Sequence, residues 1–159
     1  MRTAKTRTPL QPRMSAAQLR AHYLRQMSED AVQRTIVVLL EAMPPPPIGP
    51  WWTAVNPLPG KRTKSAAGRM KWLGLRAGAP DLVLCWSGRF AGVEVKRPVG
   101  GRTSVDQLKA QAEIDQAGGA VTVVRSAQEF VDFLDTNFPT EWRRLAPHDN
   151  GIRPWWVTP

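Results

Sequence analysis

The sequence predicts a domain of the α/β class, and three observations carry that expectation. Two strand-like runs, Leu82–Trp86 and Phe90–Lys96, flank Ser87-Gly88-Arg89, a turn signal between them, and so read as a β-hairpin. Helical stretches with recognisable starts stand on either side of it, one opening at Ser28 and one at Ser104. A further strand candidate, Ala120–Arg125, follows the second of these and runs straight into a third capped helix.

The elements follow in order. Residues 1–27 hold Arg2, Lys5, Arg7, Arg13, Arg20 and Arg25 with no acid, so they form a basic arm, partly disordered or carrying a short helix. Such an arm either lies on DNA or is a solvated tail. Ala16, Leu19, Tyr23 and Met27 would give Ser15–Met27 an apolar stripe, through which part of the arm folds or makes dimer contacts.

A helix is expected from Ser28, its N-cap, with Glu29 and Asp30 in the first turn and the block Pro44-Pro45-Pro46-Pro47 as its stop. Glu29, Gln33, Ile36 and Leu40 fall on one stripe at spacings of four, three and four, so Glu29 stands at the polar end of a core-facing row. The bland reading gives Glu29 only the helix dipole to complement. Trp51-Trp52 then starts an edge strand, with core packing favoured over base stacking. Next comes a basic cluster, Lys61, Arg62, Lys64, Arg69, Lys71 and Arg76, on a helix expected over about Ser65–Leu73. It leads directly to Asp81, which favours phosphate contacts over a solvated face.

In the hairpin, period-two geometry puts Phe90, Gly92, Glu94 and Lys96 on one face. A Ser87-Gly88 loop sets Asp81 opposite Glu94, whereas a Gly88-Arg89 loop sets it opposite Lys96. Either way the three groups share a face, and only an odd-length loop would separate them. Cys85, the single cysteine, is expected as a small buried hydrophobe of a reducing compartment. Ser104-Val105-Asp106-Gln107 reads as a capping box opening a helix that ends at Gly118-Gly119; Gln107 is either the reciprocal cap or a group reaching the acids. Ser126-x-x-Glu129 caps a last helix whose Phe130, Phe133 and Leu134 should pack on the sheet. Residues 139–159 hold Trp142, Trp155 and Trp156 among prolines, a composition poor for regular structure, and pack along the domain or against a second subunit.

Composition narrows the partners. The chain has 159 residues and 42% hydrophobic content, enough for one domain with tails. A formal charge of +9 and a pI near 10.8 favour a polyanion, nucleic acid before an anionic membrane surface. No apolar run approaches the roughly 20 residues a bilayer span requires, and His22 and His148 have no partners at zinc-ligand spacing.

Two carboxylates facing each other across a ladder repel, and a bound cation is the simplest offset. Oxygen ligands suit hard ions, so Mg²⁺ or Mn²⁺ is expected at Asp81 and Glu94. The Lys96 ammonium beside the ion would position an attacking water and help hold its hydroxide form, while the metal acts as Lewis acid at a phosphoryl oxygen. An ordinary surface ion pair on an exposed hairpin is the competing reading.

These residues together resemble a known family. Gly78-Ala79-Pro80-Asp81, Glu94-Val95-Lys96, Gly100-Gly101-Arg102-x-Ser104-x-x-Gln107 and Glu29-x-x-x-Gln33 look like the ordered motifs of the VRR-NUC group of PD-(D/E)xK nucleases, over about residues 28–135. The resemblance implies a nuclease domain at 28–138 with a restriction-endonuclease-like α-β-β-β-α-β core, a mixed sheet flanked by helices. It implies catalytic roles for Glu29, Asp81, Glu94, Lys96 and Gln107. Metal ligation is implied for Asp81, Glu94 and the Val95 carbonyl, with Glu29 a further candidate. Arg97 and Arg102 join the basic cluster as expected DNA contacts. Many members carry an Asn-Gly-Gly-type segment before the basic helix; here the stretch is Val55-Asn56-Pro57-Leu58-Pro59-Gly60, a departure that bears on loop shape and substrate choice.

The expected activity is metal-dependent, structure-selective DNA endonuclease action in a bacterial or phage-infected cytoplasm. Stand-alone members similar to this chain look phage- or prophage-like and are often dimeric resolvases of four-way (Holliday) junctions. A flap or nicking nuclease, or an inert DNA-binding module with a nuclease-like fold, are the alternatives, and charge and acids alone leave RNA cleavage open.

Overall fold

The computed structural model describes residues 14–55 and 64–145. Ten elements follow in chain order: α1 (Ala16–Gln26), α2 (Glu29–Glu41), β1 (Trp51–Ala54), α3 (Lys64–Trp72), β2 (Leu82–Trp86), β3 (Arg89–Val95), α4 (Val105–Gln116), β4 (Ala120–Val124), α5 (Ala127–Asn137) and α6 (Pro139–Leu145). The expected α-β-β-β-α-β core is α2, β1, β2, β3, α4 and β4, with α3 inserted between the first two strands.

Helix starts fall where the caps predict. Ser28 Oγ accepts from Ala31 N at 3.1 Å, satisfying one of the free N–H groups of α2. Ser15 and Ser104 each complete a capping box with the glutamine three residues on, Gln18 and Gln107. Ser126 caps α5 through Glu129 N, but the Glu129 carboxylate accepts from Arg125 N at 2.8 Å rather than from Ser126 N.

The sheet has the order β1-β2-β3-β4 and is mixed: β1–β2 and β2–β3 are antiparallel, β3–β4 parallel. Parallel neighbours need a long crossover, and α4 supplies it. Trp86 pairs with Arg89 and Leu82 with Val93, so the hairpin closes on the two-residue Ser87-Gly88 loop, and both loop residues take positive φ (49° and 76°) as a primed turn demands.

That register divides the side chains. Leu82, Leu84 and Trp86 lie on the same face as Ala91, Val93 and Val95, where they join Val32, Ile36, Leu39 and Leu40 of α2 and Phe130, Phe133 and Leu134 of α5 in one core. Each large side chain removed from water here contributes about 1.5–3 kcal/mol before entropy is counted. Val83 and Cys85 fall on the opposite face, and Cys85 is exposed. The expectation of a buried thiol fails because the alternate residues of β2 take the core. At the hairpin end of that other face, Trp51 and Phe90, which flank Cys85 across the ladder, are exposed as well.

The segment after 138 packs along the domain with its first residues, one of its two expected placements, and there it is more regular than its composition suggests. Pro139–Leu145 is helical, with proline at its first position, and Trp142 is buried beside Leu39, Met43 and Pro44. Phe138, between α5 and α6, stacks on Trp86 with ring centroids 5.6 Å apart, and the Arg89 guanidinium lies 5.0 Å from its ring centre. The core thus extends past the expected domain end. The residues of the N-terminal arm before Met14, the stretch 56–63 with Lys61 and Arg62, and the tryptophans Trp155 and Trp156 lie outside the described residues, as does the side chain of Lys64. Among the described residues, no helix is long and apolar enough to cross a membrane.

Candidate active site

The site forms where β3 ends and α4 begins. Asp81 immediately precedes β2, and the register Leu82–Val93 carries it to the place opposite Glu94. Its Oδ2 accepts from Val95 N at 2.7 Å, which ties the carboxylate to the far strand. The approach to Asp81 explains the preceding residues. Gly78 has φ +77°, and a Cβ there would come within 2.1 Å of the Asp106 carbonyl oxygen in the first turn of α4. Gly92 makes room for the Pro80 ring, whose Cγ would lie 2.7 Å from an added Cβ.

Glu94 is 2% exposed and Lys96 6%, the only buried charged residues among those described. Lys96 Nζ donates to Glu94 Oε1 at 2.5 Å. Gln107 Nε2 donates to the same oxygen, while Gln107 Oε1 accepts from Ser104 N at 2.8 Å. Both sequence readings of Gln107 therefore hold at once: its amide caps α4 with one end and fixes the acid with the other. An ordinary surface pair would be solvated; this one is not.

Electrostatics follow from burial. Desolvation raises the Asp81 carboxyl, opposed by the Val95 N–H and the Lys96 charge and reinforced by Glu29. Glu94 is pushed up to about 7, first by burial, with Lys96 opposing and Asp81 adding to the rise. Two neighbouring acids both raised by burial hold their full charge poorly without a cation. The donor set, two carboxylates, suits a hard ion such as Mg²⁺.

Glu29 begins α2 and is exposed; its charge reaches Asp81, yet it has no hydrogen bond to the other four residues. Among the described residues no group of three or more acids, histidines or cysteines converges closely enough to hold an ion. The structure thus brings Asp81, Glu94, Lys96 and Gln107 together and sets Glu29 at the margin.

The basic residues divide. Arg69 and Lys71 lie exposed on the last turn of α3, whereas Arg76 pairs with Glu113 of α4 and so braces the segment entering the site. Arg97 and Arg102 line an open cleft of about 820 Å³ with Arg25, Ser28 and Glu29. Sequence reasoning placed Arg25 in the arm, since nothing local reveals that the end of α1 lines a cleft with residues 97–102. It also missed Gln111, whose Nε2 is buried without a partner one helical turn after Gln107.

No curated protein and no solved structure is significantly similar to the chain. The VRR-NUC domain model matches residues 23–128, about two thirds of the sequence and all of the elements that build the site. The chain belongs to the VRR-NUC family and carries a nuclease domain of the PD-(D/E)xK type.

Proposed function

We propose that this protein is an Mg²⁺- or Mn²⁺-dependent endonuclease that hydrolyses phosphodiester bonds in branched DNA. One observation carries the reading: a buried Glu94 held by both Lys96 and Gln107, with Asp81 drawn to the adjoining backbone by Val95. Burying charge is costly, and such arrangements concentrate at functional sites.

Asp81 and Glu94, with the Val95 carbonyl, are the residues that would hold the ion, which supplies Lewis-acid polarisation of a phosphoryl oxygen when bound. Lys96 positions the attacking water and offers its ammonium to negative charge developing at the phosphate. Glu94 restrains that ammonium, and Gln107 restrains Glu94. Glu29 acts from the margin of the site through water. Arg69 and Lys71 on one side, with Arg97 and Arg102 on the other, hold backbone phosphates without reading sequence.

A dimer would provide the two sites that paired incision of a four-way junction requires. The exposed Leu19 and Tyr23 of α1 and the exposed Trp51 and Phe90 offer apolar area for that contact. The test is a panel of labelled flaps, forks, four-way junctions, single strands and RNA, incubated with Mg²⁺, Mn²⁺ or chelator, together with the gel-filtration mass. Ion-dependent cutting of branched DNA by a species of dimeric mass is expected. A monomer at micromolar concentration contradicts junction resolution, and absence of cutting on every substrate leaves a DNA-binding module instead.

A further inference from the structure

The cleft between the α1–α2 corner and the loop after β3 holds two of the arginines given backbone contacts above, but α1 has no part in that reading. One wall is the turn from Arg25 to Glu29; the other is Arg97 with Gly100, Gly101 and Arg102. Its volume of about 820 Å³ is within the range of ligand sites. Three guanidiniums and one carboxylate line it, and among the described residues none of the three arginines is in an ion pair. A cationic concavity with uncommitted guanidiniums is suited to phosphate, which Arg binds with a planar fork of donors.

The loop wall abuts the acid site. Arg97 directly follows Lys96, and the loop is pressed so closely to that lysine that a Cβ on Gly101 would lie 2.9 Å from Lys96 Cβ and 2.8 Å from the Arg97 carbonyl oxygen. Arg97 Nη2 approaches the Gly100 carbonyl at 3.5 Å, too long to engage the guanidinium strongly. On the opposite wall, Arg25 occupies the last turn of α1, where it complements the helix dipole and has no ion-pair partner among the described residues. Met27 and Ser28, the C-cap of α1 and N-cap of α2, are both extended, and at this junction Arg25 lines the same cleft as Arg97.

We infer that this cleft is a backbone-phosphate subsite: Arg25, Arg97 and Arg102 clamp the phosphodiester next to the scissile one on the strand being cut. The inference rests on the nuclease reading above and adds to it a role for α1, which becomes one wall of the DNA channel. Its partner is the sugar-phosphate backbone, so it contributes equally for any base sequence.

The experiment measures DNA binding in chelator, where no turnover occurs, by anisotropy of a labelled four-way junction and a labelled duplex across a range of salt. Arg25→Gln and Arg102→Gln should each weaken binding about tenfold, as removal of a charge-assisted hydrogen bond would. Each should also flatten the dependence of log K on log salt by roughly 0.9 for every duplex phosphate no longer neutralised. Arg25→Lys should restore the slope, because the charge returns. Arg144→Gln on α6, away from the cleft, is the control and should change neither quantity. Weaker affinity at unchanged slope, or a weakening equal to the control's, overturns the subsite. Wild type that binds with the full slope but cuts nothing defeats the nuclease reading and leaves the subsite standing; wild type that cuts while the Arg25 variants bind unchanged defeats the subsite alone.

Discussion

On one face of β3, Ala91, Val93 and Val95 belong to the apolar core with α2 and α5; on the other, Glu94 and, just past the strand's end, Lys96 are buried almost as completely but carry charge. The same strand thus serves two ends. The apolar face gains free energy from every buried methylene. The charged face carries a desolvation cost that a hydrophobic replacement would avoid. The proposed chemistry would account for this cost, since a hydrophobic pair of similar shape would stabilise the fold at least as well. The contrast implies that substitutions on one face should act on folding and those on the other on cleavage.

The largest effect should come from the charged face. Lys96→Ala, Asp81→Ala or Glu94→Ala should lower single-turnover cleavage by at least about 10²–10³-fold, the scale set by losing one preorganised group at a developing charge. DNA binding, followed in chelator, should persist. Glu94→Gln removes the charge yet keeps shape, so its melting temperature should match or exceed the wild type's in the absence of metal; a marked fall would give the pair a structural role and break the contrast.

Next in size is the apolar face. Phe130→Ala should cost about 3–5 kcal/mol and Ile36→Ala about 2–5 kcal/mol of unfolding free energy by denaturant titration. Cleavage per folded molecule at low temperature should remain near normal. A catalytic loss exceeding the folding loss would show that the two faces are coupled.

Gln107 straddles the contrast, because its amide serves the helix and the acid together. Gln107→Glu keeps the cap acceptor and replaces the donor to Glu94 with repulsion, so cleavage should drop about 10–100-fold, as for loss of a group orienting a ligand. Helicity by circular dichroism should hold. Equal loss in both measurements would reduce Gln107 to a cap.

The smallest effect is on pH. With Glu94 held up near 7 against its ordinary 4.5, the folded state takes the proton more readily than the unfolded one. Its contribution to stability is therefore fully present below about pH 4.5 and is lost as pH rises through 7. The melting temperature of wild type relative to Glu94→Gln should fall across that interval without metal, and Mn²⁺, which binds the ionised form, should offset the fall. A flat difference would mean that Glu94 is ordinarily acidic.

Much of this was legible in the chain because it is local. The two-residue Ser87-Gly88 turn sets the register, and the register brings Asp81 across from Glu94 with no tertiary knowledge. Ser104 and Gln107 announce both the start of α4 and the position of the amide. What the chain concealed depends on contacts between distant segments. Cys85 looked like core because its run is apolar, and only the pairing of Leu84 with Ala91 shows which face the core takes. Trp142 sits in a proline-bearing stretch, yet the α2 and Pro44 surface it covers makes α6 part of the domain. Arg25 and Arg97, far apart in the chain, line one cleft, and no periodicity records that.

The central claim is that the buried Glu94–Lys96 pair does chemistry. It is tested most directly by single-turnover cleavage of a labelled four-way junction with Mg²⁺, comparing wild type with Lys96→Ala at DNA-saturating protein. The expected result is ion-dependent cutting by wild type, abolished by chelator, and binding without cutting by the variant. Equal cutting by both proteins, or cutting that survives chelator, would contradict the claim.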